Sequence, residues 1–392
     1  FRRVLFRSLN DLTVGIVTDT SYMFYNCNKL KFDSIVPFLQ KINSVMVTNM
    51  SRMFNNVELT NANVQTICEM YNNIPSIDIL GSQSFLTDIN IIEPILDKAD
   101  WTTLTDISNL FLGWSKIVNV SLLEKYDVSN ITNMSSLFKG CFKLEDINGI
   151  KDWVVSKVED MSDMFNSCDC LADLTPLKKW DVSSVKTMKG MFSAANYSSI
   201  KTLSGLEDWD VRNVTNMQSM FHAAQGFGYS DATAKDCSAL ANWDVRNVTT
   251  MNYMFGGFRI EDYSCLADWN ISSLTDFTYM FAHHWAVESD SERVIDLSSW
   301  NVSKVDFGRV GPFFNCKYLV EVESFKNISD TATYIGTDNN QCEMLSIDSI
   351  MSFIYNLAEV NTTHILYIGE VNVQKLTEDQ ILIAINKGWT LL

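Results

Sequence analysis

The stretch Trp209-Asp-Val-Arg-Asn-Val-Thr-Asn-Met-Gln-Ser-Met-Phe221 returns, with few changes, along much of the chain. Its copies begin at Tyr126, Trp153, Trp180, Trp243, Trp269 and Trp300. They read YDVSNITNMSSLF, WVVSKVEDMSDMF, WDVSSVKTMKGMF, WDVRNVTTMNYMF, WNISSLTDFTYMF and WNVSKVDFGRVGPFF. In the six units from Tyr126 to Phe281 the leading aromatic and the closing Phe are always 12 residues apart. From that Phe to the next Trp the gap varies, at 15, 15, 17, 22, 14 and 19 residues. One half of each unit is held by packing and the other tolerates insertion, as in a stack of repeats whose insertions leave on one side.

Within the fixed half the apolar residues fall at helical spacing. Val158, Met161, Met164, Phe165 and Cys168 follow an i, i+3, i+6, i+7, i+10 pattern, which predicts a short helix with one apolar stripe. The preceding Asp181-Val-Ser183 and its equivalents supply side-chain acceptors suited to a turn or helix cap. The variable half carries strand-like runs at 144–147, 171–174 and 294–297. The expected fold is an α/β repeat solenoid, with one short strand and one short helix in each coil of about 27 residues. A lone coil cannot bury its apolar face. Stacking should therefore form structural ladders from Trp153, Trp180, Trp209, Trp243, Trp269 and Trp300, and from Phe138, Phe165, Phe192, Phe221, Phe255 and Phe281. Each such side chain is worth roughly 1.5–3 kcal/mol of burial.

The string W-D-V-S-x-V-x-x-M-x-x-M-F, followed by Cys and Leu as in Phe165-Asn-Ser-Cys168-Asp-Cys-Leu171, resembles the BspA-like repeat, also called the Mycoplasma surface-lipoprotein repeat of unknown function. The resemblance is close over residues 101–320 and looser over 9–54, through Met23-Phe24 and Met50-Ser-Arg-Met53-Phe54. It implies a leucine-rich-repeat-like solenoid on surface proteins of bacteria, some protists and their viruses, with adhesive roles. The ending KLTEDQILIAINKGWTLL also resembles the tails of such repeat proteins from gut bacteria and their phages.

Four segments follow. Residues 1–8, FRRVLFRS, fit no repeat and read as the in-frame translation of a common sequencing adapter; they are set aside from the fold reading. On that reading the true N-terminus, with any signal peptide or lipid-attachment cysteine, is not present. Residues 9–100 read as degenerate N-terminal repeats, including a longer helix signal at Val64, Ile67, Cys68 and Tyr71. Residues 101–325 are the regular repeats. Residues 326–392 read as a C-terminal cap, with a helix signal at Ile350, Phe353, Ile354 and Leu357 and a strand-like run from His364 to Gly369. A capping box at Thr377-Glu-Asp-Gln380 opens a last helix that Gly388 closes.

At 46% apolar residues the chain can bury a large core, and its net charge of −17 repels phosphate backbones, so no nucleic-acid partner is expected. No stretch approaches the ~20 apolar residues that span a bilayer, so no transmembrane segment is expected.

Chemistry-bearing residues have bland readings beside their functional ones. His283-His284-Trp285 could seed a metal site, but no cysteine or carboxylate stands at ligand spacing. Cys27, Cys141 and Cys168 each follow the motif Phe by three residues, which makes them a row of small core residues or, alternatively, a source of disulfides between neighbouring coils. Asp127, Asp181, Asp210 and Asp244 share one phase that Asn270 and Asn301 continue and Val154 interrupts. Such a row could bind calcium or act as a glycosidase pair; the Asn substitutions favour a turn role, each side chain accepting its own backbone N–H. Asn-x-Ser/Thr strings at Asn130, Asn213, Asn247, Asn270 and Asn301 are products of the motif itself. No catalytic, cofactor or metal site is expected.

The longest variable halves, 222–242 and 282–299, are rich in Gly, Ser and aromatic residues. Phe227, Tyr229, His283, His284 and Trp285, with Phe258 and Tyr263 from the short coil between them, are the candidate binding residues on one edge of the scaffold. The function expected is a non-enzymatic surface adhesion or recognition scaffold, at the cell surface or secreted, for host or cell-surface protein or glycan partners. A phage tail-associated receptor binder is the alternative, and a polysaccharide-degrading solenoid the third reading.

Overall fold

The structure is a computed structural model. It describes residues 16–42, 46–71, 77–194, 199–223, 236–258, 260, 262–283, 294–307, 311–316, 318–332, 334 and 342–392. Described elements are the helices α1 (Val36–Leu39), α2 (Asn61–Met70), α3 (Glu93–Leu96), α4 (Ser264–Ala267), α5 (Ile347–Asn356), α6 (Glu370–Gln374) and α7 (Glu378–Asn386). The strands are β1 (Val294–Asp296), β2 (Glu321–Glu323), β3 (His364–Leu366) and β4 (Trp389–Leu391). Both strand pairs, β1–β2 and β3–β4, are parallel.

Most of the regular region is built from turns rather than from these elements. Parallel bridges step from unit to unit along Asp106, Asn133, Asp160, Thr187, Asn216, Thr250 and Asp276, each residue pairing with the next. After every bridge the chain makes an arc. In the arc 160–168 alternate N–H groups go outward to the following unit: Met161 to Thr187 O (3.1 Å), Asp163 to Lys189 O (2.7 Å) and Phe165 to Met191 O (2.9 Å). The intervening N–H groups of Met164, Asn166 and Cys168 close i→i−3 turns.

The helix expected over 158–168 is therefore a run of turns. The apolar period of three is shared by both structures, but a helix would spend its N–H groups inside the segment and leave none for the neighbouring unit. Two left-handed residues per arc enforce the difference: Ser136 and Gly140, Asp163 and Ser167, Tyr253 and Gly257, Tyr279 and His283. Of the three strand-like runs, 294–297 yields β1; 144–147 supplies one bridge, at Asp146.

The apolar residues of the arcs pile into one core that runs from Phe24 to Leu391. Phe111, Phe138, Phe165, Phe192, Phe221, Phe255, Phe281 and Phe313 stack ring on ring, with centroids 5.4–6.5 Å apart and planes within 2–16°. All six ladder tryptophans are buried, none more than 7% exposed. Each indole N–H donates to the preceding unit, as Trp153 does to Leu123 O, Trp180 to Ile150 O and Trp209 to Leu177 O, at 3.0–3.2 Å. Trp243, Trp269 and Trp300 repeat the bond with Leu206 O, Leu240 O and Leu266 O, each at 3.0 Å. Tryptophan holds this phase because it adds apolar area and satisfies a buried carbonyl at once.

The ends use helices for the same stacking. Thr60 and Asn63 form a capping box on α2, and Ser346 caps α5. Thr377 and Gln380 form the expected box on α7, and Gly388 follows it at φ +88°. Lys98 and Lys387 donate to the carbonyls at the C-terminal ends of α2 and α5. α7 carries Leu382 and Ile385, both about half exposed.

Candidate recognition surface

Three rows of Asx-type turns mark the phases of the stack. In the first, Oδ1 of Asp127, Asp181, Asp210, Asp244, Asn270 and Asn301 accepts the backbone N–H two residues on, at 2.9–3.3 Å. Asn serves where Asp does, so this row is structural, and Val154 interrupts it with a side chain 56% exposed. The bridge residues Asp106, Asn133, Asp160, Asn216 and Asp276 form a second such row. Asn119, Asp146, Asp173, Asp236, Asp262 and Asp296 form a third. Much of the acidic surplus is turn chemistry. The sequon asparagines are engaged too: the side-chain amides of Asn130, Asn213 and Asn247 donate to Thr102 O, Ser183 O and Arg212 O.

Cysteines divide into two roles. Cys141 and Cys168 are buried, and their thiols donate to Phe111 O and Phe138 O of the preceding unit, each at 3.2 Å. Burial pushes both thiols well above the usual cysteine range, so they are inert packing residues. Cys237 and Cys265 instead form a disulfide between neighbouring units. Sequence reading missed that pair because Cys237 stands six residues before Trp243 and Cys265 four before Trp269, two different phases. Among the described residues no three His, Cys, Asp or Glu side chains converge to hold a metal ion.

Of the seven candidate binding residues, Phe227, Tyr229, His284 and Trp285 lie outside the described residues. Phe258 and Tyr263 are corrected: they are 1% and 5% exposed. Phe258 packs on Phe221 and Phe255, and Tyr263 packs edge-on against Phe281. Phe258 stands three residues after Phe255, the core phase of Cys141 and Cys168. Tyr263 stands six before Trp269, the phase of the buried Ile147, Leu174 and Leu203. Their own phases assigned them to the core.

His283 is half-buried and belongs to a different cluster. The first left-handed position of the arc holds Tyr22 and Arg52 in the N-terminal units, Asn109, Ser136, Asp163, Gly190 and Ser219 in the regular ones, then Tyr253 and Tyr279. Small or hydrogen-bonding residues suit that backbone; a bulky aromatic there costs about 1 kcal/mol or more. The two tyrosine rings stack in parallel, 4.3 Å apart and 8° from coplanar. His222 stands at 84° to Tyr253, and Phe314 at 61° to Tyr279. His283 meets Phe314 at 82°, and its Nδ1 lies 2.7 Å from the amide nitrogen of Asn315. All five rings are half-buried. Gly256 makes room: a Cβ there would meet the rings of His222 and Tyr253 at 3.0 and 3.1 Å.

The strip is uncharged at neutral pH. Burial, then His283, draws the His222 imidazole below 6.5, and burial does the same to His283. Burial, then the Tyr279 charge and hydroxyl, pushes the Tyr253 phenol up to about 12. In the arcs 216–223, 250–258 and 276–283 the only Asp, Glu, Lys or Arg is Asp276. Earlier arcs differ at the same place, where Lys139 pairs with Asp163 at 2.9 Å.

The chain leaves for both long insertions beside this strip, at Ala223 and His283. Those two positions are in register through Gly257, since Ala223 N–H bonds Gly256 O and Gly257 N–H bonds Ala282 O. The signal was in the sequence: Ser, Asp, Gly and Ser give way to Tyr and Tyr at one phase of the supposedly constant half.

No curated protein and no solved structure matches the chain. A family described as Mycoplasma protein of unknown function, DUF285, matches residues 3–73, 82–204 and 228–326, beginning inside the segment read as adapter-derived and ending where the regular repeats end. Because those matches span well over half its length, the chain belongs to that family of unknown function.

Proposed function

We propose that the protein is a non-enzymatic surface recognition scaffold, a leucine-rich-repeat-like solenoid of the BspA-like kind that binds protein or glycan partners. One observation carries the reading. The core positions repeat without interruption from Phe111 to Phe313, while the outer position of one arc changes from small and charged residues to a half-exposed aromatic strip. Stacking needs no tyrosine there, since Ser219 and Gly190 fill the same backbone site. The Cys237–Cys265 disulfide supports an oxidising location such as a cell surface or secreted state. No helix among the described residues is long and apolar enough to cross a membrane.

The test is immobilised full-length chain challenged with intact cells and with protein and glycan arrays. Saturable binding without turnover of polysaccharide is expected. Absence of binding to every surface and array, or steady release of sugar from a polysaccharide, overturns the reading.

A further inference from the structure

We infer that the strip formed by His222, Tyr253, Tyr279, Phe314 and His283 is a binding site for a neutral oligosaccharide. This rests on the recognition reading above and narrows it to one surface and one ligand class.

The geometry selects the chemistry. The two tyrosines cover each other's faces, and the rings at either end stand at steep angles to them, so the strip offers ring edges and phenol hydroxyls rather than a broad apolar plate. Ring edges carry the positive end of the quadrupole and favour oxygen atoms. The Tyr253 hydroxyl keeps its proton throughout the physiological range and bonds with the Tyr279 hydroxyl, so the pair presents neutral phenols. The amide of Asn315 stands against His283, and Asn252 and Thr278, next to the two tyrosines in sequence, bond to each other. Aromatic carbon beside amides and hydroxyls, with a single carboxylate at Asp276 that accepts from Thr278 and no Lys or Arg in the arcs 216–223, 250–258 and 276–283, matches a ligand that alternates C–H patches with hydroxyls. An apolar protein anchor would need a deeper apolar pocket than these half-buried rings provide. An acidic ligand would meet a chain of net charge −17, and of the four arcs that supply the strip only the one with Phe314 carries Lys or Arg, at Arg309 and Lys317.

Two tyrosines in left-handed backbone on successive units, stacked on each other where Tyr22 at the same position is followed by Arg52, are a second sign. Strained residues persist where the side chain has a use, and here the backbone site accepts Ser at Ser136 and Ser219.

The experiment compares the full chain with the Tyr253→Ser, Tyr279→Ser double variant, which installs the side chain native to this phase. Probes are hexasaccharides of neutral glucans, galactans, mannans and xylans, with sialylated and sulfated oligosaccharides alongside, followed by calorimetry and saturation-transfer NMR. At least one neutral probe should bind, with affinity unchanged between low and high salt. The double variant should bind it at least tenfold more weakly with no fall in melting temperature. Wild-type affinity in the double variant overturns the site, as does binding restricted to the charged sugars. Silence of every sugar, with a protein-array signal that the double variant abolishes, overturns the glycan assignment and leaves the recognition reading standing. Failure of the chain on cells and on both arrays, or turnover of a polysaccharide, removes the reading itself.

Discussion

The arcs closing at Phe138, Phe165 and Phe192 and those closing at Phe221, Phe255 and Phe281 bury the same positions, with Ile131 and Leu137 in the first stretch and Leu274 and Phe277 in the second as the exchanges. Val, Met and Phe recur at matched positions, and nearly all are under 5% exposed in both stretches. Yet the first stretch presents Lys139, Asp163 and Gly190 outward, and the second presents Tyr253 and Tyr279. In the first stretch Gly190 leaves room for the Asp163 carboxylate, whose oxygen a Cβ there would meet at 2.2 Å. In the second the contact is ring on ring. Packing thus fixes the phase of the repeat and leaves the outer arc free to acquire a role. Equality of core and inequality of surface can each be tested.

The largest effect should come from the shared core. Trp209→Ala, and equally Trp153→Ala in the first stretch, should cost about 3–5 kcal/mol in urea denaturation. Trp209→Phe keeps much of the area but leaves Leu177 O without its indole donor, and should cost about 1–3 kcal/mol. A difference of several kcal/mol between the two Trp→Ala variants would break the claim that the cores are equivalent.

The second effect belongs to one stretch alone. Cys237→Ser with Cys265→Ser removes a cross-link of 28-residue separation, worth about 3 kcal/mol on loop-closure grounds. Reductant should reproduce the loss in the wild-type chain and change nothing in the variant. Hydrogen exchange should place the loosening between residues 236 and 283, with 126–192 unaffected.

Smaller still is a pH dependence seated on the strip. His222 and His283 have folded values below the unfolded 6.5, so on acidification the unfolded chain takes up protons first. Their contribution is intact above pH 6.5 and falls away as the pH drops below it. The melting temperature should decline from pH 7 to 5, and less steeply in His222→Gln. The carboxylates of Asp127, Asp210 and Asp244, held low by their hydrogen bonds, add a separate loss only below about pH 4. An identical slope in His222→Gln would remove the strip from the explanation.

The smallest change sharpens the comparison most. Tyr253→Ser should leave stability within about 1 kcal/mol of wild type, because strain relief offsets the lost ring contact. The reverse change, Ser136→Tyr, should destabilise the first stretch by about 1 kcal/mol, with no partner ring at Asp163 to stack on. Equal and opposite outcomes would show the tyrosines to be core-like after all.

By itself the sequence determined the phase of nearly every buried residue. A 12-residue spacing of Trp and Phe, a Cys three residues beyond and an Asp–Asn row that tolerates exchange are local regularities, and burial and turn chemistry act on them locally. It also determined the helices α2 and α5, through their apolar spacing, and α7, through its capping box. Tertiary structure alone decided the rest. Whether a period of three closes helical turns or a ladder depends on whether the N–H groups find acceptors one unit away, as Met251 does at Asp276 O and Met217 at Thr250 O. Which indole meets which carbonyl, that Cys237 reaches Cys265, and that Tyr253 lies on Tyr279 are contacts between units. Only the register of the stack brings those partners together, and nothing in a short window of sequence records it.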